Sequence, residues 1–185
     1  MIPSLIAVVF ILLLIAYLIA TFNRLVNLKN LIRNSWHNVE TELKRRYDLI
    51  PNLVSTVKGY ASHEKEVLRR VAAARDGAVR STGSPRSQAA DENALVHALR
   101  GLFVVVEGYP QLKASANFLA LQDELINTEN RIQAARRFYN GNVKDLNNLI
   151  GQFPSNLIAR RFEFQPAEFF EIENAVERQA VAAKL

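Results

Sequence analysis

The stretch LVNLKNLIRNSWHNVETELKRRY, Leu25–Tyr47, decides the fold. Its apolar residues Leu25, Leu28, Ile32, Trp36, Val39, Leu43 and Tyr47 recur at steps of three and four, which lays one continuous stripe along an α-helix. The residues between them are mostly Asn, Lys, Arg and Glu, so the stripe must be covered by neighbouring helices while the other faces meet water.

Upstream, the character of the chain changes. No side chain from Ile2 to Phe22 is charged, and Leu5 to Ala20 holds only Leu, Ile, Val, Ala, Phe and one Tyr. At 1.5 Å per residue, roughly 20 such residues cross a hydrocarbon core of about 30 Å. A cleaved signal peptide would carry a basic residue ahead of the apolar run and small residues at both key positions of a cleavage site. Here only the α-amino group precedes the run, and Leu18 stands where a small residue should precede Ala20. Residues 2–22 therefore read as an uncleaved single-pass anchor. Arg24, Lys29 and Arg33 follow it before the first acid, Glu40, so the positive-inside rule puts the N-terminus outside and the folded domain in the cytoplasm.

Downstream, the stripe reaches Pro51, which lacks an amide donor and disfavours helical geometry at Ile50, yet the apolar phase continues through Val54, Val57 and Ala61. Either a tight turn or a kink satisfies this, and the turn is favoured, with Asp48 as the cap of a second helix and Pro51 in its first turn. That helix continues to about residue 76. Gly77 to Ser87, centred on Gly83, Ser84 and Pro85, reads as a loop. A third helix spans about 88–107, stopped by Gly108, Tyr109 and Pro110, and a fourth spans about 114–150 with the stripe Phe118, Leu121, Leu125, Thr128, Ile132, Ala135, Tyr139, Asn142, Leu146 and Ile150.

The expected fold is all-α: a transmembrane helix, then an antiparallel up-and-down four-helix bundle over 23–150 (helices about 23–47, 49–76, 88–107 and 114–150), then an aromatic-rich tail over 151–185. The tail carries Phe153, Phe162, Phe164, Phe169 and Phe170, half of the chain's 10 phenylalanines. Such a segment is covered either by the chain's own bundle or by another chain, which makes these five the candidate assembly contacts.

Composition narrows the chemistry. A chain of 185 residues, 49% of them apolar, fits one anchor and one domain. The absence of cysteine excludes disulfides, thiolate metal sites, cysteine nucleophiles and a lipidated N-terminal cysteine. The net charge of +5 is spread among interleaved acids and bases, a pattern of solvated helix faces and not of a nucleic-acid surface. A carboxylate-bridged di-metal centre needs Glu-x-x-His pairs, but Asn34, Tyr60 and Ala94 stand three residues before His37, His63 and His97. Ser35, Ser55 and Ser62 have no strained turn to present a hydroxyl, and no Gly-x-x-x-x-Gly-Lys loop occurs. No catalytic residue, metal ligand or cofactor is expected. The polar stripe members Thr128 and Asn142, with Glu129, Asn130 and Arg131, suit a buried network that fixes register.

The segments KRRYDLIPNLVSTVKGYASHEKEVL (Lys44–Leu68), YPQLKASANFLALQDELINTENRIQAARRFYN (Tyr109–Asn140) and FPSNLIARRFEFQPAEFFEIE (Phe153–Glu173) together resemble the LemA family, in order and over nearly the whole chain. Its hallmark positions include Arg45, Arg46, Tyr47, Asp48, Pro51, Asn52, Leu53, Val54, Lys58, Gly59 and Tyr60, then Tyr109, Pro110, Leu112, Lys113, Asn117, Phe118, Gln122, Glu129, Asn130, Arg131, Ile132, Tyr139 and Asn140. The resemblance implies a bacterial inner-membrane protein with a four-helix bundle, encoded often beside envelope proteins and membrane proteases; it supplies no activity. Charged hallmarks around Asp48 are expected to cap helix ends or to bind a partner. The function expected is a membrane-anchored scaffold that meets the lipid bilayer, self-associates as a homo-oligomer or recruits an envelope membrane protein, with a regulatory or receptor subunit for a membrane protease or small ligand as the alternative.

Overall fold

The computed structural model describes residues 2–173. Among them there is no strand, and the order of elements is α1 (Ile2–Tyr60), α2 (Lys65–Arg80), α3 (Pro85–Glu107), α4 (Pro110–Lys113), α5 (Ala116–Gly151) and α6 (Ser155–Arg161).

Helix α1 corrects the expected break at Asp48–Pro51. It runs unbroken through Pro51, and the chain leaves the helix only after Tyr60. A proline inside a helix removes the bond to the carbonyl four residues earlier, here that of Tyr47. That acceptor is satisfied from outside the helix, because Arg75 Nε on α2 donates to Tyr47 O at 3.2 Å. The stripe on both sides of Pro51 remains in phase, with Leu43, Ile50, Leu53 and Val57 all buried, so packing favours continuing the helix over turning.

The loop expected at Gly77–Ser87 is also shorter than its composition suggests. Helix α2 carries on to Arg80, and α3 already starts at Pro85. Ser84 caps α3, its side chain accepting from the Ser87 amide at 3.4 Å, and Pro85 takes the first turn, where its missing amide leaves no bond unmade. Gly108 to Ser115 hold the one-turn α4, which buries Leu112 before α5 begins.

Two compact units divide the chain. The first comprises residues up to His37 together with Phe138–Phe169. Its core is Leu25, Leu28, Leu146, Ile158 and Ala159, flanked by Phe22, Ile32, Leu149, Ile150, Phe164 and Ala167. Within it, residues 3–20 of α1 are exposed, and burial begins at Thr21. Eighteen exposed, overwhelmingly apolar residues on a helix long enough to cross a membrane are the opposite of a core helix, whose apolar side would be covered. Helix α6 closes with Glu163 at φ 56°, and Phe164 N donates to Ala159 O at 2.9 Å while Glu163 N donates to Arg160 O at 3.3 Å. This left-handed cap turns Phe164 back onto the unit's core, its ring 6.0 Å from that of Phe22.

The second unit comprises Asn38–Arg137 and residues 170–173. Its core gathers Ile50, Leu53 and Val57 from α1, Leu68 and Val71 from α2, Leu95, Leu99 and Leu102 from α3, Leu112 from α4, and Phe118 and Leu125 from α5. Helix α2 packs along α3.

Candidate functional site

At the heart of the second unit lies a cluster of charge. Arg46 of α1 is fully buried, as are Glu92 of α3 and Glu129 of α5 to within 2%. Arg46 Nη1 donates to Glu129 Oε1 at 2.8 Å and Nη2 donates to Glu92 Oε2. The hydroxyl of Tyr47 donates to the other Glu92 oxygen. One guanidinium thus joins three helices, and one phenol completes the carboxylate of the second.

Burial opposes the charge on Arg46, but the two carboxylates outweigh it and hold the guanidinium above its usual pKa. Burial, and then the charge of Glu92, push the Tyr47 phenol well above its usual range, so it stays a donor. Two buried carboxylates face one buried cation. Arg46 Nε, Glu129 Oε2 and the nearby Thr128 Oγ1 and Gln133 Nε2 on α5 are buried with no hydrogen-bond partner among the described residues. Ions so enclosed are strongly coupled: removing one leaves the others uncompensated in a medium that cannot solvate them. Arg46, Glu92 and Glu129 are closed to solvent and Tyr47 is half-buried beside them, an arrangement that suits a clamp fixing the register of α1, α3 and α5.

The candidate residues read from the sequence divide accordingly. Arg46, Tyr47 and Glu129 come together. The expectation that the charged hallmarks cap helix ends is corrected for Arg46, which sits within α1 with its side chain in the core. Arg45 lies 3.7 Å from Glu42 one turn back. Asp48, Asn52, Lys58 and Tyr60 are exposed along α1, and Asn130 and Arg131 are exposed on α5. Tyr139 is buried in the first unit, its ring 5.2 Å from that of Trp36 and its hydroxyl donating to Glu168 O at 2.9 Å. Asn140 is half-buried. In the polar stripe of α5, Asn142 Nδ2 donates to Ser35 Oγ at 3.4 Å. Glu92 escaped the sequence reading. Its signal is its phase: it falls on the buried side of α3 with Ala89, Val96 and Leu99, an acid at an apolar position.

The tail is held through its backbone. In the first unit Asn147 grips Ala167 twice, Nδ2 donating to the carbonyl at 2.9 Å and Oδ1 accepting from the amide at 2.9 Å. In the second, Asn93 Nδ2 donates to Glu171 O at 3.3 Å and Oδ1 accepts from Glu173 N at 2.8 Å. Arg136 donates to Ile172 O, and Arg100 pairs with Glu173 at 2.8 Å. Phe170 is fully buried and Phe164 half-buried, whereas Phe153, Phe162 and Phe169 are exposed.

The model of the LemA family matches residues 35–184. The chain belongs to the LemA family. Among similar proteins, Protein LemA of Metamycoplasma hominis is 25% identical over 80% of this chain and 68% of its own length. Magnetosome proteins MamQ 2 and MamQ 1 of Paramagnetospirillum magneticum are each 24% identical over 92% of this chain and 72% of their own length. Neither kind of relative is named for an enzymatic activity. The buried cluster, the α1 residues that follow it and the pinned tail all lie within the LemA match.

Proposed function

We propose that this LemA-family protein is a non-catalytic, membrane-anchored helical scaffold of the bacterial inner membrane, with its N-terminus outside, its helical domain a cytoplasmic four-helix bundle, and homo-oligomers as its working form. The observation that carries the reading is the continuity of α1, in which the exposed apolar segment and the Arg46 clamp belong to one uninterrupted helix. One helix therefore supplies both the apolar segment and a member of the clamp, which suits a protein that holds position. The magnetosome names of two relatives, whose proteins are named for an organelle and not for a reaction, agree with it. Self-association is assigned to apolar side chains left exposed away from the anchor, Val104 (62% exposed), Phe138 (57%) and Phe169 (40%).

The test is the mass of the full-length protein in mild detergent by light scattering, with the detergent contribution subtracted. A particle of many subunits that falls apart in Val104→Glu or Phe138→Glu supports the scaffold; a monomer in every form sinks self-assembly. These substitutions are preferred to truncation from Phe162, because residues 164–173 are built into the chain's own fold.

A second reading, a regulatory or receptor subunit for a small ligand or an adjacent membrane protease, is favoured by one observation. The first unit has a pocket of about 390 Å³ with Trp36 and Tyr139 in its wall and Lys29 and Arg33 beside them. A monomer that co-purifies with a protease would support this reading.

A further inference from the structure

In the first unit an apolar surface lies uncovered beside the apolar segment of α1. Helix α6 buries Ser155, Ile158 and Ala159 against the core, and turns outward a second apolar set with its flanking residues: Phe153 (79% exposed), Leu157 (58%) and Phe162 (55%). Leu157 is the exposed apolar residue of the helix itself, and Phe153 and Phe162 flank it beside the exposed Arg160 and Arg161. Phe162 meets Phe22 edge to face at 4.8 Å, which fixes this outer surface to the end of the charge-free run of α1. Between α1 and α6 lies a groove of about 560 Å³ lined by Leu18, Ile19, Phe22, Leu157, Ile158, Arg161 and Phe162. Arg161 is its sole charged lining residue, with the guanidinium 5.9 Å from the Phe162 ring, and Arg160 is its exposed neighbour.

We propose that this groove binds an anionic phospholipid, with an acyl chain between α1 and α6 and the headgroup phosphate on Arg161 and Arg160, so that α6 lies in the membrane interface. Leu18 and Ile19 belong to the segment that the anchor places within hydrocarbon, so the groove opens onto the lipid that would fill it. Phe22, one turn further on, marks the level at which aromatic rings and arginine heads gather at a bilayer surface. A protein partner would be met by a polar rim around an apolar centre. Here the walls are apolar up to the guanidinium, the arrangement of a chain-plus-phosphate ligand, and the two adjacent arginines complement a negative headgroup. The tail residue Phe162 is thereby assigned to lipid and not to another copy of the chain.

The inference rests on the anchor reading, and the experiment separates the two. The full-length protein is reconstituted into phosphatidylcholine bilayers carrying, at equal mole fraction, either dibrominated phosphatidylglycerol or dibrominated phosphatidylcholine, and indole fluorescence is read. Trp36→Phe removes the native indole; Leu12→Trp reports on the anchor, and Phe162→Trp and, independently, Leu157→Trp report on the groove. The expected result is equal quenching of Leu12→Trp by both lipids and several-fold stronger quenching of both groove reporters by the brominated anionic lipid. That preference is lost when Arg160→Gln and Arg161→Gln are added. Equal quenching of the groove reporters by the two lipids overturns the anionic site. Quenching of Leu12→Trp alone overturns any contact of α6 with lipid while leaving the anchor standing, and absence of quenching at Leu12→Trp removes the anchor and the proposal together.

Discussion

The guanidinium of Arg75 completes the backbone of Tyr47: its Nε donates at 3.2 Å to the carbonyl that Pro51, four residues on, leaves without a helical partner. A bond from α2 thus mends the ladder of α1. Arg75→Ala should therefore destabilise the protein by about 1–2 kcal/mol, the usual penalty for stranding a partly buried acceptor. In a Pro51→Ala background the amide at position 51 returns to serve Tyr47 O, and the same Arg75→Ala change should lose most of its effect. Thermal unfolding followed by circular dichroism in detergent gives the cycle; additive losses would show that the arginine acts elsewhere.

The Arg46 clamp predicts an asymmetry between partial and complete removal. Arg46→Met leaves Glu92 and Glu129 buried without a cation and should cost about 3–5 kcal/mol. Replacing all three together, as Arg46→Met with Glu92→Leu and Glu129→Leu, should recover much of that loss, because an apolar layer needs no compensation. Denaturant midpoints of the two variants decide it. A triple variant less stable than Arg46→Met would mean that the cluster holds more than register.

The sequence made the helices and the long apolar N-terminal segment legible because stripe and hydropathy are local patterns. It misplaced the joint at Asp48–Pro51 because the remedy for Pro51 comes from Arg75, 24 residues away and invisible to any local rule. The clamp was half legible. Tyr47 was assigned to the apolar stripe, whereas the buried phase of α1 runs Leu43, Arg46, Ile50, Leu53, and the position that looked like a surface charge is the core one. Glu92 was passed over for the same reason, since an acid in a helix is normally solvated and only its partner on another helix reveals otherwise.

The two asparagine grips on the tail predict separable losses. Asn147→Ala removes both bonds to Ala167, and Asn93→Ala removes the bonds to Glu171 and Glu173. Hydrogen exchange read by residue should show the Ala167 amide losing protection in the first variant and the Glu173 amide in the second, with no crossover. Loss at both amides in either variant would mean that the tail releases as one cooperative piece.

Alkaline pH tests the buried tyrosines. Burial, and then the charge of Glu168, push the Tyr139 phenol up to about 12, and Tyr47 is raised as well. A phenol whose folded pKa exceeds its unfolded value of about 10 contributes stability that is fully present below pH 10 and is lost as pH rises through the folded pKa. Between pH 10 and about 12 the folded Tyr139 keeps a proton that the unfolded chain has released, so the wild type should lose stability at up to about 1.4 kcal/mol per pH unit from this group. Tyr139→Phe starts less stable at neutral pH, because its bond to Glu168 O is gone, but should show a shallower decline above pH 10. Parallel declines for the two proteins would mean that Tyr139 titrates normally, its ring exposed to water despite its packing on Trp36.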